Sequence, residues 1–124
     1  MRASMHISDA SNSPPGSLLG HPTVIVEPPF DLVGEFLTSE VDSSRCPLFD
    51  LLPKVLTKSE YFGGGEGHLL EVRGELASLT TLYAEREVEC KVSTAELRDL
   101  VMEWRRFVRA FERQSKTRRS RRST

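Results

Sequence analysis

The pattern that most constrains this chain lies between residues 93 and 113. Ser93 is followed three residues later by Glu96, the spacing of a capping box, in which the hydroxyl and the carboxylate satisfy free N–H groups of a helix's first turn. Apolar residues then recur at Leu97, Val101, Trp104, Val108 and Phe111, in steps of four and three. Such steps set one stripe along one side of a helix. Leu100 and Phe107 widen it, and no Gly or Pro interrupts 94–113. The pattern predicts one long amphipathic helix anchored in a core by the only tryptophan, Trp104. Arg98, Arg105, Arg106, Arg109 and Arg113 fall off the stripe and make the opposite face basic.

A helix with one apolar side needs a surface to cover, and the preceding stretch supplies it. Val88-Glu89-Cys90-Lys91-Val92 alternates apolar and polar, as a strand with one dry and one wet face does. Cys90 falls on the dry side, as a small core residue. Ala77 to Tyr83 is rich in residues that favour strands, and His68 to Arg73 reads as another strand ahead of Gly74. Three strands with short links predict an antiparallel meander.

Upstream, Thr23-Val24-Ile25-Val26-Glu27 is a β-branched run stopped by Pro28-Pro29. It is expected to add a fourth strand at an edge of the meander. Phe30 to Val41 fits a helix through Phe30, Val33 and Leu37, although a strand from Phe36 to Val41 fits nearly as well. Pro47 suits the first turn of a helix, and Pro53 should kink or end it, so a short, broken helical segment is expected from Pro47 to Lys58. Gly63-Gly64-Gly65-Glu66-Gly67 reads as a flexible connection. No Lys-Ser or Lys-Thr follows it, and a strand comes next where a phosphate-cradling loop needs a helix N-terminus.

The fold expected is therefore α+β: a small antiparallel meander of three or four strands under a long C-terminal amphipathic helix, with short helical segments between strand 1 and the meander. One domain, 21–113, carries it. Residues 1–20, rich in Ser, Pro and Gly, bury too little apolar area to offset their ordering entropy and are expected to be disordered. The basic tail, 114–124, is expected to be disordered too. A start at Met5 rather than Met1 is compatible with the sequence.

Charge is unevenly placed. The chain is formally −1; its last eleven residues carry five basic groups and no acidic one, and Arg2 offsets Asp9 in the first twenty, which leaves 21–113 at −6. The reading is an acidic domain with a basic arm, and local charge steers association. No apolar run approaches the roughly 20 residues a membrane helix needs. Residues 1–20 lack the apolar core of a secretion signal, and the two cysteines make no disulfide framework. A cytoplasmic location, without membrane attachment, is expected.

Chemistry is sparse. Cys46, His68 and Cys90 are each 22 residues apart, and no pair has the close spacing of structural zinc sites. No metal, cofactor or catalytic residue is assigned, and so small a core is not expected to enclose an enzyme's cleft. The acidic hairpin residues Glu85, Glu87 and Glu89, with Glu71 and Glu75 nearby, form a candidate surface for a basic protein partner. A small acidic α+β domain without catalytic groups resembles, in general character, the immunity proteins and antitoxins that compete with nucleic acid for a basic cleft. That implies a non-enzymatic protein-binding inhibitor. The alternative is non-specific nucleic-acid association through Arg105, Arg109 and Arg113 on the helix and Arg118, Arg119, Arg121 and Arg122 in the tail. Neither the oligomeric state nor the partner's identity is legible.

Overall fold

The structure is a computed structural model that describes residues 1–8, 20–82 and 88–122, with side chains up to Gln114. It is α+β. Strands β1 (Ala3–Ile7) and β2 (Pro22–Val26) form a two-stranded antiparallel sheet, followed by helices α1 (Asp31–Glu40) and α2 (Pro47–Val55). Strands β3 (Glu60–Gly64), β4 (His68–Arg73), β5 (Leu76–Thr81) and β6 (Glu89–Ser93) make a second sheet, an antiparallel meander in chain order, and α3 spans Thr94–Arg122.

The stripe read from the sequence is the packed side of α3. Leu97, Val101, Trp104 and Val108 are fully buried. They meet α1, α2, β2 and the inner face of the meander in one core with Phe36, Phe49, Leu52, Leu70 and Leu79. Trp104 also donates its indole N–H to the Val41 carbonyl at 2.7 Å, so its one polar atom is satisfied in the dry interior. At the helix start Ser93 Oγ accepts the Glu96 N–H at 3.4 Å.

Phe30 to Val41 takes the helical alternative. Gly34 on α1 lets it lie against β2: a Cβ there would sit 2.8 Å from the Val24 carbonyl oxygen. Gly74, at φ +59, supplies the left-handed backbone that the two-residue β4–β5 link needs.

Five expectations change. The β-branched run at 23–27 does not join the meander; it lies in β2, which pairs with β1 from Ala3↔Val26 to Ile7↔Pro22. Residues 3–7, in the segment expected to lack structure, are thus a strand, held by that ladder and by Met1 and Met5 packing against the core. The fourth meander strand is β3, inside the glycine-rich stretch, where Gly63↔Leu70 and Gly64↔Leu69 are ladder partners. Pro53 does not break α2, because its missing N–H is made good from another helix, as described below. Finally, α3 continues past 113 into the basic segment, where neither Gly nor Pro stops it.

Candidate functional site

The meander has two unlike faces. Alternation along β4, β5 and β6 turns Leu70, Val72, Ala77, Leu79, Cys90 and Val92 inward, where they are buried. None of the residues on the other face is buried. Ladder partners set three rows across it: Phe62–Glu71–Ser78–Lys91, Gly64–Leu69–Thr80–Glu89 and Glu60–Arg73–Leu76–Ser93. Phe62 is 70% exposed and Leu76 46%. Glu71 pairs with Arg73 along β4.

At the β3 edge this face dips into a hollow of about 580 Å³, lined by Glu60, Tyr61, Phe62, Glu71 and Arg73 among others. It joins an exposed aromatic ring to carboxylates. Counting Glu66 and Glu75 in the flanking turns, five carboxylates attend this face and its margins against the cations Arg73 and Lys91. Among the described residues β3 pairs on one side only, so it also presents an open strand edge.

Of the acidic trio expected at the β5–β6 hairpin, Glu89 is exposed on β6 in the row with Leu69 and Thr80. Glu85 and Glu87 lie outside the described residues. Phe62 and Glu60 were missed from sequence because the glycines beside them hid β3. The available signal was the Tyr61-Phe62 pair, which puts one ring on each face of any strand there.

The basic side of α3 divides. Arg105 is largely buried. Its Nε donates to the Phe49 carbonyl at 2.8 Å, its Nη2 reaches Asp50 at 2.9 Å, and its guanidinium lies 4.9 Å from the Phe49 ring centre. It pins α3 to α2 and is not available to a phosphate, which corrects its place in the expected nucleic-acid surface. Arg109 remains 56% exposed, with Asp50 at 3.8 Å. Arg113 lines a cleft with Arg45, Arg106 and Arg109. The side chains of Arg118, Arg119, Arg121 and Arg122 lie outside the described set.

A buried polar pair occupies the meander's end. Glu40, at the close of α1, binds His68 Nδ1 through Oε2 and accepts the Gly67 N–H through Oε1 at 3.0 Å. A Cβ at Gly65 would displace that carboxylate from its present place. The glycine-rich turn thus contributes one N–H, that of Gly67, to the Glu40 carboxyl group. His68 Nε2 is buried without a hydrogen-bond partner, with Glu35 Oε1 at 4.0 Å.

Both thiols are muted. Burial raises the Cys90 pKa, helped by the Asp31 charge, and burial with a hydrogen bond to Asp42 raises that of Cys46. Neither is poised as a thiolate nucleophile. Among the described residues no group of three or more His, Cys, Asp or Glu could hold a metal ion, and no helix is long and apolar enough to cross a membrane.

Comparison with protein-family models, with curated proteins and with solved structures finds no match.

Proposed function

We propose that this chain is a small non-enzymatic protein-binding module that uses the uncovered face of its meander to hold a basic protein, in the manner of an immunity protein or antitoxin. The observation that carries this reading is Phe62: a ring 70% exposed on the edge strand of a carboxylate-rich sheet face. An exposed aromatic ringed by charge is the form of an interface anchor, with apolar contact supplying affinity and surrounding charge supplying orientation and on-rate. The carboxylates select a partner of positive potential, as nucleases and other nucleic-acid-binding proteins have. The open β3 edge supports the same reading, because a partner can add main-chain hydrogen bonds there.

The test is co-purification from nuclease-treated extract of the native host. Three full-length chains are compared: wild type, Phe62→Ser/Glu71→Lys, and Arg45→Ala/Arg106→Ala. The reading expects one basic protein bound by the first and third, lost from the second, and inhibited in proportion to the chain added. Capture unchanged by the sheet-face variant contradicts it.

A further inference from the structure

A second surface shares no residue with the sheet face. The cleft between the α1–α2 loop and α3 measures about 760 Å³ and is lined by Ser44, Arg45, Arg106, Arg109, Glu112 and Arg113. Four arginines thus surround one carboxylate. That carboxylate is already engaged, since Glu112 Oε2 accepts from Ser44 Oγ at 2.9 Å. Arg45 and Arg106 are exposed and form no ion pair among the described residues. In a domain whose net charge is −6 this is a concentrated positive site.

The residue type narrows the ligand. All four cations are arginines, whose planar forks match the paired oxygens of a phosphate. Their arrangement narrows it further. Arg106, Arg109 and Arg113 follow one another at helical spacing, so the row runs roughly 10 Å along the axis. The helix then enters a segment with five more basic residues between 116 and 122. A lone phosphate needs one or two guanidinium groups, whereas a continuous row matches a linear polyanion.

We propose that this cleft binds the phosphate backbone of a nucleic-acid strand, with Arg45 and Arg106 as principal contacts and Arg109 and Arg113 beside them. Binding is independent of base sequence, because the cleft offers guanidinium groups and no aromatic stacking platform. Each neutralised phosphate releases counterions, so affinity falls steeply with salt.

Fluorescence anisotropy of a labelled single-stranded oligonucleotide tests this on the full chain across a salt series. Arg45→Ala/Arg106→Ala should weaken binding about tenfold at low salt and flatten the slope of log affinity against log salt by about 1.5, the share of two phosphate contacts on a single strand. Both residues are exposed, and an unchanged thermal melt verifies the fold. Four results overturn the proposal. The double variant binds like wild type; a mononucleotide or inorganic phosphate binds as tightly as the strand; an acidic peptide of equal length competes equally; or replacing Arg118, Arg119, Arg121 and Arg122 with alanine abolishes binding while the cleft stays intact.

Discussion

Arg105 donates through Nε to the backbone carbonyl of Phe49 at 2.8 Å, and Phe49 stands four residues before Pro53. In a helix that carbonyl would accept the N–H of residue 53, which a proline lacks. The arginine supplies the missing donor from another helix, and α2 runs unbroken through the proline. Arg105→Ala should cost about 1.5–3 kcal/mol, the scale of a charged hydrogen bond to a buried carbonyl. In a Pro53→Ala background, where the N–H is restored, the cost should shrink. A double-mutant cycle in urea measures the coupling; additivity to within about 0.5 kcal/mol would show that the two residues do not share the carbonyl.

Trp104 combines packing with its bond to Val41. Trp104→Ala should cost about 3–5 kcal/mol, as truncating a buried large aromatic does. Trp104→Phe keeps a ring but leaves the Val41 carbonyl without its donor, and should cost about 1–3 kcal/mol. Chemical denaturation checks both values. A phenylalanine variant as stable as wild type would remove the hydrogen bond from the account.

Gly34 sets two effects against each other. Alanine gains about 1 kcal/mol in helix propensity over glycine. Its Cβ, however, would meet the Val24 carbonyl oxygen at 2.8 Å and the Val26 nitrogen at 3.1 Å, and backbone cannot rotate aside. Overpacking of this kind costs about 1–3 kcal/mol. Gly34→Ala should lower the melting temperature; a rise would mean that α1 can back away from β2.

The thiols give a pH dependence. Burial raises the folded-state pKa of Cys90 above the ordinary 9.0. The folded chain then keeps a proton that the unfolded chain has released. This contribution is complete below the ordinary thiol pKa and is lost as pH climbs through it toward the folded value. Stability should therefore fall from about pH 9 upward, and less so in Cys90→Ala. Native protein should also react with iodoacetamide more slowly than protein unfolded in urea. Equal rates would place the thiol at the surface.

How much of this was legible depended on the range of the interactions. The α3 stripe and strands β4 to β6 rest on local periodicity, and they lie where the periodicity puts them. The period-2 pattern of β4 even places His68 on the inner side with Leu70 and Val72. Its partner, Glu40, is 28 residues away and carries no signal. β3 was hidden because Gly63 and Gly64 have no side chains to alternate; their pairing with Leu70 and Leu69 makes them a strand. The β1–β2 ladder is equally non-local. For Arg105, helical spacing says only that it faces away from the stripe. The clue was Pro53, whose place inside an apolar helical run implies an orphan carbonyl at Phe49 and so a donor from elsewhere. The open face needed the whole sheet, since Phe62, Glu71 and Ser78 become neighbours only through register.

The most direct test of the central claim is hydrogen–deuterium exchange on the full chain, free and bound to the partner captured from its host. Slowed exchange is expected at Glu60–Gly64, the open edge, and at the adjoining β4 amides, with no change over residues 104–113 of α3. Protection confined to α3 and the α1–α2 loop, with β3 exchanging as in the free chain, would contradict it.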